Sequence, residues 1–200
     1  MRNKVKLLVA AFLLAGASGA ATAQQFANSG YAFLQAVRER DGDKAMELLN
    51  APGSTVVNFR DDDGNGALHI TASRRDAQWL AFMLSRGADP NLANGAGDTP
   101  LIVASRIGFL DGVDLLLRRR AQVDRTNRLG ETALIIAVQQ RQMPVIRRLL
   151  EAGANPDKTD NASGRSARDY AKLDTRGAEM LRLMDTVRSS APRPVAGPRL

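Results

Sequence analysis

Asp61-Asp62-Asp63-Gly64-Asn65-Gly66 is the run in this chain that looks most like a metal site. Asp61, Asp63, Asn65 and Gly66 fall at the first, third, fifth and sixth places of a calcium loop, and Leu68 suits the eighth. The twelfth place needs a bidentate glutamate and holds Ala72 instead. The same residues also make an ordinary tight turn, so no metal is expected. His69 is the single histidine and cysteine is absent. Nucleophile–base pairs built on those residues, and ordinary zinc sites, therefore have no second member. No spacing supports Ser/Lys or paired-carboxylate catalysis. Neither a catalytic residue nor a cofactor is expected.

Arginine is the other chemically active type. Arg118-Arg119-Arg120, Arg125, Arg128, Arg147 and Arg148 form the densest group. They read as a solvated helix face whose aliphatic stems cover apolar neighbours, or as a basic patch for an acidic partner or an anionic envelope polymer. The net charge of +7 is uneven. Three basic residues lie in the first six positions and three more after 187, so residues 24–187 carry 22 basic against 21 acidic groups. Such a neutral body lacks the basic footprint of a nucleic-acid binder.

The elements that position these residues recur every 33 residues. Leu68, Leu101 and Leu134 keep that step, as do Ala88, Ala121 and Ala154, and the pairs Met83-Leu84, Leu116-Leu117 and Leu149-Leu150. A period of this size marks stacked supersecondary units that share one core. Within a unit, turn residues such as Asn94, Gly95, Gly97 and Asp98 precede a capping threonine (Thr99), a first-turn Pro100, and Leu101, Ala104 and Ser105 on one helical face. A second helix follows, with Leu110, Val113, Leu116 and Leu117 inward. Gly87 and Gly153 stand where helices end. Arg120 takes that place in the third unit and Gly112 interrupts its second helix, so this unit is expected to be the softest. Trp79, with Leu80, Met83 and Leu84, reads as packing between outer helices.

The units resemble the ankyrin repeat. Gly64, Ala67-Leu68-His69, Ala72, Met83-Leu84 and Gly87-Ala88-Asp89-Pro90-Asn91 follow its pattern, as do Thr99-Pro100-Leu101 and Ala152-Gly153-Ala154-Asn155. The resemblance implies an all-α solenoid with short turns or β-hairpin fingers, in units near 30–60, 61–93, 94–126, 127–159 and 160–187. The end units are degenerate caps; in the last, Arg168 replaces the repeated leucine. It also implies that His69 bonds neighbouring turns. Its usual contact face, the concave side of turn tips and inner-helix ends, maps onto Asp62, Asp63, Asn65, Ser73, Arg74, Ala96, Asp98, Arg106, Ile107, Arg128, Leu129, Glu131, Gln139 and Gln140. Ile107 and Leu129, each beside an arginine, read either as binding anchors or as scattered surface hydrophobics.

Residues 1–23 read as a signal peptide. Arg2, Lys4 and Lys6 are followed by an uncharged run from Leu7 to Ala17 and by Ala21-Thr22-Ala23. The run is far short of the roughly 20 residues a bilayer needs. The expectation is an exported monomer without stable membrane insertion, periplasmic in a Gram-negative source, with a disordered lead at 24–29 and a disordered tail at 188–200. Its function would be to bind another protein. The rival readings are an accessory factor for an anionic envelope polymer and an enzyme with an unannounced pocket.

Overall fold

The computed structural model describes residues 27–190, with side chains to 187. The signal and tail expectations therefore fall mostly outside the described residues. Ten helices follow in order: α1 (27–39), α2 (Gly42–Asn50), α3 (Ala67–Ser73), α4 (Ala77–Ser85), α5 (Pro100–Arg106), α6 (Leu110–Arg118), α7 (Ala133–Gln139), α8 (Met143–Glu151), α9 (Ala167–Leu173) and α10 (Ala178–Ser190). A short 3-10 turn, Val56–Asn58, fills the long first loop. Odd and even helices form two layers: α3, α5, α7 and α9 pack in succession, and α4, α6, α8 and α10 pack behind them. The result is an all-α stack of five helix pairs, as the period requires.

Leu68, Leu101 and Leu134 occupy equivalent interior positions and are all buried. Short inner helices of seven residues could not persist alone. They are held by caps at one end and by burial of nearly every side chain. The Thr99 and Thr132 hydroxyls accept from the amides of Ile102 and Ile135, and the Ser166 hydroxyl accepts from that of Asp169. Asp41 and Asp76 cap outer helices in the same way. Trp79 is buried, edge-on to Phe82.

Several expectations need correction. Residues 27–29 are not a loose lead but the first turn of α1. The helix is anchored there because Gly30 lies against the Phe59 ring and Tyr31 meets that ring edge-on at 5.1 Å. Residues 188–190 likewise finish α10 rather than begin the tail. Gly112 does not interrupt α6. It is buried where the Phe109 ring lies, and an added Cβ would stand 2.3 Å from Phe109 Cδ1. That glycine is a packing requirement of the unit rather than a defect.

A feature not legible beforehand is a set of left-handed arginines. Arg40, Arg75 and Arg141 follow inner helices with φ of 61°, 56° and 54°. Each reaches into the next unit. Arg40 pairs with Asp76 at 3.0 Å, the Arg75 guanidinium donates to the Ile107 carbonyl, and Arg141 grips Asp174 with two donors at 2.6 and 3.1 Å. Each left-handed backbone costs about 1 kcal/mol, and the cross-unit bond offsets it. Arg120, at φ 62°, is exposed and has no such bond among the described residues. Arg120→Gly should therefore raise the free energy of unfolding by about 1 kcal/mol in urea titration. Arg141→Gly should gain nothing or lose stability.

Ser105 is wholly buried on α5, and its hydroxyl alone among the buried side-chain polar atoms described makes no hydrogen bond. Ser105→Ala removes that unsatisfied group with little change of shape. It should stabilise the protein by about 1 kcal/mol in the same titration.

Candidate binding surface

Four loop tips project beside the inner helices, and each is closed by the same device. Asp61, Asn94, Asn127 and Asp160 recur at the repeat interval and turn their side-chain oxygens back onto amides of their own loop. The Asx backbone amide then bonds across the loop, from Asp61 to the Asn65 carbonyl, Asn94 to Asp98 and Asn127 to Glu131, at 2.9–3.0 Å. Such Asx turns compete well with helix and strand, which is why these segments stay loops.

Neighbouring tips are joined through backbone. Gly95 N donates to the Asp63 carbonyl at 2.7 Å, Arg128 N to Ala96 at 3.1 Å and Asn161 N to Leu129 at 2.8 Å. Gly64, Gly97 and Gly130 have φ of 77°, 83° and 79°. A Cβ at any of them would lie 2.5–2.6 Å from the next tip's backbone nitrogen. Only glycine meets both demands.

His69 ties this row to the core. Its Nδ1 accepts from Gly66 N at 3.1 Å, and its Nε2 lies 3.0 Å from the carbonyl of Asp98 in the following unit. That arrangement makes Nε2 the protonated nitrogen, as a bond between neighbouring turns requires. Burial is the largest influence on the ring and lowers its pKa below the usual histidine range, against the raising effect of the Asp98 carbonyl.

The expected contact residues gather into two adjoining hollows. One, of about 440 Å³, is lined by Arg38, Asp61, Asp63, Asn65, His69, Ile70, Ser73, Arg74 and Val103. The other, of about 310 Å³, is lined by Ala96, Asp98, Arg106, Asn127, Arg128, Leu129 and Glu131. Asp62 lies on the rim of the first and accepts from the Tyr31 hydroxyl. Gln139 reaches Glu131 at 3.3 Å, and Gln140 is exposed at the end of α7. Ile107 does not join them as an anchor. It caps α5, half-buried against the core, and its carbonyl takes Arg75. Leu129, 56% exposed at a tip, is where an apolar contact is offered.

The carboxylates at the floor of both hollows already have partners. Arg106 pairs with Asp98 at 2.7 Å, Asn127 bridges Asp98 and Glu131, and Arg38 pairs with Asp61 at 2.6 Å. Asp61 is thus committed to its own turn and to Arg38. Among the described residues no cluster of His, Cys, Asp or Glu is placed to hold a metal ion. The arginine group also divides: Arg148 pairs with Asp114, while Arg118–Arg120 and Arg125 face solvent. In the last unit, Arg168 takes the leucine position and pairs with both Asp157 and Asp185, sealing the end of the stack with charge.

The stacked pairs and their joined loop tips define a repeat-type binding module. The pattern of the family described as "Ankyrin repeats (3 copies)" matches residues 33–127 and 76–160, and the chain belongs to the ankyrin repeat family. It is 41% identical over 71 residues to oxysterol-binding protein-related protein 1 of Homo sapiens, covering 36% of this chain and 8% of that protein. Identity is 40% over 55 residues to the nuclear factor NF-kappa-B p110 subunit of Drosophila melanogaster, covering 28% and 6%. An ankyrin repeat-containing protein of Treponema pallidum (strain Nichols) is 30% identical over 138 residues, covering 69% of this chain and 35% of that one. The chain thus spans about a third or less of each of these relatives. Ankyrin repeats are protein–protein interaction domains, and that reading applies here.

The His69 geometry carries a pH dependence. The folded protein holds the ring neutral, so its contribution is fully present above the unfolded pKa of about 6.5 and declines as pH falls through the lower folded value. Unfolding free energy should fall as the pH drops below about 6.5. His69→Gln should cost about 1–2 kcal/mol at pH 7 and flatten that decline. An unchanged slope in the variant would assign it to other groups.

Proposed function

We propose that the chain is a non-catalytic scaffold that holds a partner protein against the loop tips and inner-helix ends. The observation that carries this reading is the contrast between floor and rim. The floor's carboxylates are taken up by Arg38, Arg106 and Asn127, while the rim presents a bare leucine, small residues and uncommitted charges. A surface of that kind has affinity to offer and no activated group for chemistry. Because the tips are bonded to each other, little ordering is needed on docking, which favours affinity over the same contacts on free loops.

The location we propose is the periplasm or another exported compartment. Support comes from the basic start, the short apolar run and the Ala21-Thr22-Ala23 site. No helix among the described residues is long and apolar enough to cross a membrane.

The test uses two exposed tip residues whose replacement leaves the core intact. Ala96→Arg with Leu129→Asp should abolish recovery of the partner captured by the tagged full chain from its native cells, with unchanged circular dichroism. Arg147→Glu, on the outer helix α8, should retain it. A partner that stays bound to the tip variant places binding on another face.

A further inference from the structure

The four tips differ from one another in an ordered way. Equivalent positions carry Asp62-Asp63, Gly95-Ala96, Arg128-Leu129 and Asn161-Ala162 along the row. All but Gly95 are exposed. The Asp63 carboxylate and the Arg128 guanidinium have no partner among the described residues, and Asp62 keeps acceptor capacity beyond its bond to Tyr31. Between the two charged tips lies the one with the smallest side chains. The backbone bonds that join them make the row a continuous strip.

We infer that this strip docks an extended segment of the partner whose charge is segregated, with a basic end on Asp62 and Asp63, a small or apolar middle over Gly95-Ala96, and an acidic end on Arg128 beside an apolar contact with Leu129. The inference rests on the proposed protein-binding role and specifies its partner. Three arguments support it. Charge complementarity requires opposite signs at the two ends, since like charges juxtaposed there would be repelled. The glycine and alanine tip admits backbone at close range but offers no charge to read. Spacing also limits the fit: packed helices lie roughly 8–10 Å apart, so the first and third tips, which carry the charges, are about 20 Å apart. An extended chain spans at most about 3.3–3.6 Å per residue, which places the two charge centres about six residues apart.

The acidic tip alone would suit any cation and the arginine alone any anion. Their fixed separation is what distinguishes an ordered segment from either. The contacts lie on the rim, so they steer and select more than they hold. Each is also weakened by salt.

The test uses the full chain and two fluorescein-labelled ten-residue peptides of identical composition and no net charge. In one, a Lys pair and a Glu pair are separated by a neutral stretch containing leucine; in the other, the same charges alternate. Fluorescence anisotropy at low salt should show the segregated peptide binding about tenfold more tightly. Asp62→Lys with Asp63→Lys should lose that preference, and so should Arg128→Asp. All three changes together should restore it, because the peptide then docks in the opposite direction. Equal binding of both peptides, no measurable binding of either, or failure of the triple variant to recover would overturn the inference. If the charge variants leave capture of the native partner untouched while Ala96→Arg with Leu129→Asp abolishes it, the binding role stands and only the segregated segment is wrong.

Discussion

Close contact between successive loop tips is the constraint on which the structure depends. Gly64, Gly97 and Gly130 must be left-handed to turn the loop, and must lack a side chain because the next tip's backbone stands in its place. That contact sets the step from one unit to the next. The inner helices then meet at a distance filled by Leu68, Leu101 and Leu134, with Ala72 and Ala104 small enough for the neighbouring helix to approach. The tips also form the rim of the proposed binding surface. The contact that sets the stacking distance therefore also makes the surface rigid.

Polar groups between units reinforce the same geometry from inside and outside. His69 joins the second unit to the third through a buried bond, and Asn127 with Asp98 does the same between the third and fourth. On the far side of the inner helices, left-handed arginines span the seams. Gly108 stands at this position in the third unit because the Gln142 side chain occupies the space a Cβ would need. Each seam from the second unit to the fifth thus has a core component, a tip component and a polar bridge. With several independent contributions per seam, no single surface residue has to carry the stacking.

The fold was largely legible because its signals are local and repeated. A leucine that returns every 33 residues, preceded by a capping threonine and a turn glycine, specifies both the element and its partner in the next unit. The placing of the tip residues in one row was legible for the same reason, since tip positions are in phase with the core. What escaped depends on long side chains reaching across seams. Nothing in the spacing says that Arg75 will meet the Ile107 carbonyl, or that this bond and the adjacent core will withdraw Ile107 from solvent. Gly112 was misread because its reason, the Phe109 ring, is three residues away and packs back on it. The involvement of Tyr31 and Arg38 was invisible because the first unit departs from the period.

The central claim is that the tips form one bonded row rather than four separate loops. Native-state hydrogen exchange at the amides of Gly95, Arg128 and Asn161 tests it most directly. Loop amides in open solvent exchange at the rate of an unstructured chain; these three should instead be protected together, slowing as the whole stack is stabilised. Exchange at the unstructured rate at all three, while the amides of α5 and α7 stay protected, would contradict the account.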